Sequence, residues 1–319
     1  MIKSNLLDDF LDYLKSTRGS SEATIKEYYY DIRLFLRFLM QRKGLADKKE
    51  LDEIPIENID IEMLRSVNKQ DVYSFNAFLE KTRKVSNRSK YRKISAIRTF
   101  FNYLSTKIDV IEYNPVENID MPKLEKTLPY YLDLNEAILL LETIENTKKK
   151  EPYKSRDYAI VTLFLNCGMR LSELAGINLD DISNEETLKV KGKGNKERTI
   201  YLNNACMKAL EEYFKNRPEI DNNALFLSMR NNRMSNRAIQ HMIEKYIVLA
   251  GLDPKKYTVH KLRHTAATLM YQYGNADIRS LQEILGHESI TTTQIYTHVR
   301  SEQLKHTVDN NPLSNITEE

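Results

Sequence analysis

Cysteine and glycine are scarce: two and nine residues, with eight prolines, in a chain of 319. Cys167 and Cys206 stand in apolar helical contexts, without metal-ligand spacing and too few for a disulfide framework. That pattern fits a reducing, cytoplasmic compartment. The glycines form no phosphate-cradling loop of the GxGxxG or GxxxxGK kind. No apolar run is long enough to span a bilayer; the strongest, YAIVTLFLNCGM from Tyr158, reads as a buried helix. The chain opens on MIKSNLLDDFLDYL, acidic and amphipathic, which is not the pattern of a secretory leader. A strong charge of one sign is also lacking. Charged residues make up 29% of the chain, yet the net charge is +3, so any basic surface must be local.

What is present is enough for about two domains with ample core, at 41% hydrophobic content. Up to about Thr106 the pattern is helical. Leu6, Leu7, Phe10, Leu11 and Leu14 form one stripe, and Ile25, Tyr28, Tyr29, Ile32, Phe35, Leu36 and Leu39 a second, behind an N-cap at Ser20 or Ser21. Residues 44–67 read as a connection containing a short helix. Asn68 caps a third helix, with Val72, Phe75, Phe78 and Leu79 inward. A fourth starts at Ser86, with Tyr91, Ile94, Ile97, Phe101 and Leu104 on its apolar side. The polar side of that helix gathers Arg88, Lys90, Arg92, Lys93 and Arg98 with no acid among them, which suits phosphate contacts along a duplex or, equally, a solvated face. Residues 113–128 hold prolines and no clear period, and read as an interdomain linker between domains at 1–112 and 129–319.

The second part begins with helices over 134–144 and 156–167, the latter broken by Gly168. Arg170 then starts a new helix with Glu173 one turn on. A guanidinium near a helix N-terminus sits at the unfavourable end of the dipole, which hints at an anionic ligand, although by itself the segment reads first as a plain Arg–Glu pair. TLKVK (187–191) and ERTIYL (197–202) alternate like strands around GKGNK, a hairpin with Lys193 near its apex and Lys191, Lys196 and Arg198 beside it. A lysine there can protonate a leaving oxygen. Helices follow around 207–214 and over 236–250.

The richest stretch runs from His260 to His298 and offers His260, Arg263, His264, His287 and Tyr296. His260 and Arg263 are three apart and share a helix face. Gly286 stands where a helix should end, leaving His287 on the turn. Guanidiniums suit phosphate oxygens, imidazoles carry protons near neutrality, and tyrosine can be a covalent nucleophile. Together they suggest attack on a phosphodiester.

The segments GMRLSEL, KGKGNKER, HKLRHTAAT and LGHESITTTQIYTH, in that order, resemble the tyrosine recombinases of the phage integrase family, and among them the bacterial Xer recombinases. The resemblance covers nearly the whole chain. It implies a mainly α fold: a four-helix SAM-like core-binding domain, then a mostly helical catalytic domain with a small antiparallel sheet, together a C-shaped clamp around duplex DNA. It implies that Tyr296 forms a 3′-phosphotyrosyl bond, that Arg170 and Arg263 clamp the phosphate, that Lys193 protonates the leaving 5′ oxygen, and that His260 and His287 bond the phosphate or assist proton transfer. No cofactor and no metal are implied. His264 is left as a supporting residue, and His241, His298 and His306 receive no role. The implied partners are double-stranded DNA at a specific site and a tetramer of identical or paralogous recombinases, with residues 301–308 packing into a neighbour. A DNA translocase is a candidate activator, and no membrane is involved.

Base and phosphate contacts are expected from Lys90, Arg92 and Lys93, from Lys191, Lys196 and Arg198, and from Asn236, Arg237 and Gln240. An Xer-type role in resolving chromosome or plasmid multimers is favoured over a mobile-element integrase, since no arm-binding segment precedes the core-binding helices. A catalytically silent DNA-binding protein would not need the tyrosine. A topoisomerase-like enzyme would relax DNA without a defined site.

Overall fold

The structure, a computed structural model, describes residues 6–46, 50–57, 59–124, 130–183, 185–192, 197–274, 276–287 and 289–293. Two compact units divide the chain, Met1–Lys126 and Thr127–Glu319. The first is built from α1 (Leu6–Ser16), α2 (Glu22–Arg42), α3 (Ile61–Arg65), α4 (Lys69–Lys81) and α5 (Asn87–Thr106). Side-chain caps start the longer helices where the sequence pattern puts them. Ser21 accepts from Thr24 N, Asn68 and Asp71 form a reciprocal capping box, and Ser86 accepts from Ser89 N.

The apolar stripes meet in an aromatic core. Phe10, Phe35, Phe75, Phe100 and Phe101 are all essentially inaccessible, and pack edge-on or tilted with ring centroids 5.0–6.2 Å apart among themselves. Val116 and Ile119 also enter this core, so the first half of the segment read as linker packs on the first unit. Tyr91, expected inside, is exposed at the start of α5.

The polar side of α5 differs more. Acids from other helices reach it. Lys90 is buried at 6% exposure and donates to Glu80 at 2.9 Å. Arg92 and Lys93 both donate to the buried carboxylate of Asp31 on α2, at 3.0 and 2.6 Å, and Arg92 also pairs with Glu27. Arg98 donates to the carbonyls of Val116 and Ile119. The face is therefore not free of acids, as α5 alone suggests: Lys90 and Lys93 are largely buried against acids of α4 and α2, because burying an ammonium without a counter-charge costs too much, while Arg92 keeps 44% of its side chain exposed.

In the second unit come α6 (Leu134–Glu145), α7 (Tyr153–Cys167), α8 (Leu171–Gly176), β1 (Thr187–Lys191), β2 (Glu197–Tyr201), α9 (Asn204–Asn216), α10 (Asn236–Leu249), α11 (Val259–Tyr273), α12 (Ile278–Leu285) and α13 (Ile290–Thr293). The two strands pair antiparallel with Thr187 opposite Tyr201 and Lys191 opposite Glu197. Helix α7 is apolar nearly all round and is the hub, packed on by α6, α9 and α11. Each fully buried leucine or phenylalanine on it contributes about 1.5–3 kcal/mol of transfer free energy. Its charged start is buried too: Asp157 accepts from Lys149, Arg156 and the Tyr246 hydroxyl.

The two cysteines, distant in sequence, meet here. Cys167 Sγ and Cys206 Sγ lie 3.7 Å apart, both buried. Alternation and helical period carry no information on such a contact between α7 and α9. Among the described residues no helix is long and apolar enough to cross a membrane.

Candidate active site

Helix α7 ends at Gly168, whose φ of +59° is the left-handed cap that reverses the chain. Two residues on, Arg170 is the N-cap of α8. Helix α11 carries His260, Arg263 and His264, and α12 ends at Gly286, φ +63°, just before His287. These elements converge on the last carbonyls of α12, which have no partners within their own helix and lie at the negative end of its dipole.

Three guanidiniums take three successive carbonyls there. Arg263, buried at 3% exposure, donates to Leu285 O at 2.6 Å and to Gly168 O at 2.7 Å, tying α12 to the end of α7. Arg170 donates to Gly286 O at 2.6 Å. Arg198, on β2, donates to Ile284 O. One buried carboxylate, Glu173, serves two of them: Oε1 accepts from Arg170 Nη1 at 2.7 Å and Oε2 from Arg198 Nη2 at 2.9 Å. Burial alone would raise the Glu173 pKa. The bonds from Arg198 and Arg170 outweigh it and hold the carboxyl below its ordinary range. Three guanidiniums against one carboxylate leave a local excess of positive charge, as a site for a phosphodiester requires.

The histidines are set differently. His287 Nδ1 is 2.9 Å from the hydroxyl of buried Thr293 on α13, the element that leads toward Tyr296 in sequence. Burial first, then the charges of Arg263, Arg170 and Arg198, pushes His287 down to about 4. His264, also buried first and then opposed by His260, Lys261 and Arg263, falls to about 3. His260 is exposed and stands edge-on to His264, with ring centroids 4.7 Å apart. Both depressed imidazoles are neutral at pH 7.

The unfolded chain, with ordinary histidines near 6.5, therefore binds more protons than the folded one between about pH 4 and 6.5. Stability present above that window is lost as pH falls through it. The urea midpoint should be lower at pH 5 than at pH 7.5, and equal midpoints would contradict the assignment of neutral His264 and His287.

Gly286 has a second constraint besides its left-handed φ. A Cβ there would lie 2.9 Å from Arg198 Cδ, 3.1 Å from its Nε and 3.5 Å from Arg170 Nη1. Gly286→Ala should cost about 1–3 kcal/mol, from the backbone penalty and the displaced guanidinium. It should also slow DNA cleavage at least about tenfold through lost positioning. Urea melting and single-turnover cleavage check the two effects; wild-type values in both would show that Arg198 yields freely.

Of the residues singled out in the sequence, Arg170, Arg263 and His287 are brought together, with His260 and His264 beside them. Lys193, Lys196 and Tyr296 lie outside the described residues. Lys191 is exposed and 3.7 Å from Glu197. Asn236, Arg237 and Gln240 share the exposed side of α10's first turns. Arg198, expected to contact DNA beside the hairpin apex, instead has a side chain only 14% exposed and paired with Glu173 in the site. Its signal was in the alternation, since Arg198 is two residues from buried Ile200 and shares its face of β2. Glu173 was seen as a partner of Arg170, but its sharing with Arg198 and the Thr293 contact were not.

A helical unit followed by a mostly helical one with a two-stranded sheet, the second gathering arginines and histidines around one helix end, defines an integrase-type phosphoryl-transfer protein. The phage integrase family model matches residues 131–303, and that of the phage integrase N-terminal SAM-like domain matches 7–107. The chain belongs to the phage integrase family and is a tyrosine recombinase, an enzyme of site-specific recombination.

It is 49% identical to the tyrosine recombinase XerC of Caldanaerobacter subterraneus subsp. tengcongensis, over 97% of this chain and 87% of that protein. It is 33% identical to the tyrosine recombinase XerD of Listeria monocytogenes serotype 4b, over 95% of this chain and 96% of that protein. The fold matches that of XerH recombinase bound to palindromic difH substrate in a post-cleavage complex, with TM-score 0.68, 24% identity, and 95% and 84% of the two chains covered. It also matches a lambda integrase (75–356) dimer bound to a COC′ core site, with TM-score 0.65, 19% identity, and 90% and 95% covered.

Proposed function

We propose that this chain cuts and rejoins duplex DNA at a defined site through a phosphotyrosyl bond to Tyr296, in an Xer-type role resolving chromosome or plasmid multimers. The observation that carries the chemistry is the convergence of Arg170, Arg263 and His287 at the end of α12. The Tyr296 oxygen attacks the scissile phosphorus, forming the 3′-phosphotyrosyl bond as the bond to the 5′ oxygen breaks. Arg170 and Arg263 stabilise the charge that builds on the non-bridging oxygens; preorganised charge of this kind is the main source of rate in phosphoryl transfer. Lys193 gives its proton to the departing 5′ oxygen. His287, neutral and oriented by Thr293, accepts or relays the tyrosine proton with His260. The covalent bond keeps the phosphodiester energy, so religation needs no nucleotide cofactor.

The Xer-type assignment rests on 49% identity to a XerC along nearly the whole chain. The same reading makes residues 1–112 a core-binding domain, 113–128 a linker and 129–319 the catalytic domain. It gives duplex DNA and identical or paralogous subunits of a tetramer as partners, a DNA translocase as activator, and the cytoplasm as location. Exposed Asn236, Arg237 and Gln240 on α10 are the base-reading candidates.

Covalent trapping tests it. Purified protein is incubated with nicked suicide duplexes cut from its host's chromosome and plasmids, separated under denaturing conditions, and the adduct is mapped by peptide mass spectrometry. A 3′-linked adduct on Tyr296 from one recurring sequence is the expected result. Sequence-specific binding with no adduct, alone or with a paralogue added, would support the catalytically silent reading.

A further inference from the structure

Arg198 lies outside the set of residues assigned to the reaction, yet its side chain joins β2, Glu173 and the end of α12. Its guanidinium donates to both oxygens of Glu173, Nη2 to Oε2 at 2.9 Å and Nε to Oε1 at 3.4 Å. Its Nη1 donates to Ile284 O at the end of α12, and its stem packs on Gly286. Glu173 in turn holds Arg170 through the side chain at 2.7 Å and through the Arg170 backbone N–H at 2.7 Å. A chain of contacts thus runs from β2 through Glu173 to Arg170, and from β2 directly to the turn that carries His287.

A surface arginine on a two-stranded hairpin keeps its charge in water at little expense. This one is largely desolvated, and its partners are a fully buried carboxylate and a helix-end carbonyl. Without Arg198, Glu173 Oε2 would keep only the Arg170 backbone N–H, and a single guanidinium would stand against the carboxylate. With both arginines present, Arg170 is held by Glu173 and by the Gly286 carbonyl, and keeps about a third of its side chain exposed.

We infer that Arg198 is a positioning residue of the strand-transfer site, which acts through Glu173 and the Ile284 carbonyl to set Arg170 and the His287 turn in one fixed relation. The inference rests on the proposed roles of Arg170 and His287. Among the described residues, the charged and titratable groups that act on His287 are Arg263 and His260 from α11, Arg170 from the start of α8, and Arg198 from β2, while Thr293 of α13 meets its ring. Removing Arg198 takes away one of those cations and loosens a second.

The test compares Arg198→Gln and Arg198→Lys with the wild type as full chains. Four quantities are read: the urea midpoint, the dissociation constant for a duplex carrying the sequence recovered by trapping, the single-turnover rate of adduct formation at saturating protein, and the pH titration of the His287 ring by NMR without DNA. Arg198→Gln should slow adduct formation about 10- to 100-fold, the scale for one misplaced phosphate contact, while DNA affinity stays within about threefold. His287 should titrate at higher pH in that variant. Arg198→Lys, which can still reach Glu173 but not the carbonyl at the same time, should recover part of the rate.

A wild-type rate or an unchanged His287 titration in Arg198→Gln overturns the inference. So does a loss of folding in both variants, or a loss of affinity as large as the loss of rate, since either makes Arg198 a general structural or DNA-contact residue. If the wild-type chain itself forms no adduct, the proposed function fails, while the His287 titration still decides whether Arg198 governs the turn.

Discussion

Arg263→Ala should abolish measurable strand cleavage, a loss of at least about a thousandfold, and should also destabilise the second unit. The chemical effect follows from charge: a guanidinium clamp on a transferring phosphoryl group accounts for about 10³–10⁵ in rate where it has been removed and restored. The structural effect follows from where Arg263 sits. It is 3% exposed and spans from Gly168 O to Leu285 O, so its removal leaves two carbonyls unpaired between α7 and α12. Each such group costs about 1–3 kcal/mol. Arg263→Lys separates the two effects. An ammonium keeps the charge and satisfies one carbonyl, but it cannot span both as the fork does. The lysine variant should therefore melt closer to the wild type and still cleave about a hundredfold or more slowly. Urea melting with single-turnover cleavage reads both. A lysine variant as active as the wild type would show that bulk positive charge is enough and that the fork geometry is incidental.

Tyr296→Phe should leave no covalent adduct at all while DNA binding persists within about twofold, because one hydroxyl contributes little to an interface dominated by phosphate contacts. The two residues differ in kind. Losing Arg263 raises a barrier, whereas losing the tyrosine oxygen removes the bond that would form. Gel shift and denaturing gel on the same nicked duplex separate binding from attachment. A residual adduct in the phenylalanine variant would move the nucleophile to another side chain.

Local causes were the most legible in the sequence, although helical period misplaced Tyr91. Asn68 and Ser86 cap helices because their side chains reach a backbone N–H three residues on, and Gly168 and Gly286 end helices because both need a left-handed backbone. Arg170 with Glu173 was visible for the same reason, one turn of helix apart. Arg170, Arg263 and His287 were legible as chemistry, and the structure gathers them. Failure came with partners far along the chain. The cations of α5 look free because Asp31 and Glu27 stand more than sixty residues earlier. Cys167 and Cys206 look solitary because 39 residues separate them. Arg198 obeyed the strand alternation, yet its charge suggested solvent, and only the carboxylate of Glu173 explains the inward turn.

The meeting of arginines at the end of α12 also bears on synthesis. Arg170 waits for a carbonyl 116 residues downstream, Arg198 for one 86 residues on, and Arg263 reaches back 95 residues to Gly168. At about 5–20 residues per second, the ribosome takes on the order of ten seconds to pass from the first of these arginines to Gly286. During that time Arg170 and Arg198 have Glu173 as a partner, but the carbonyls of α12 that gather them with Arg263 are not yet made. A nascent recombinase therefore lacks the assembled cluster of guanidiniums until the last turn of α12 has left the exit tunnel.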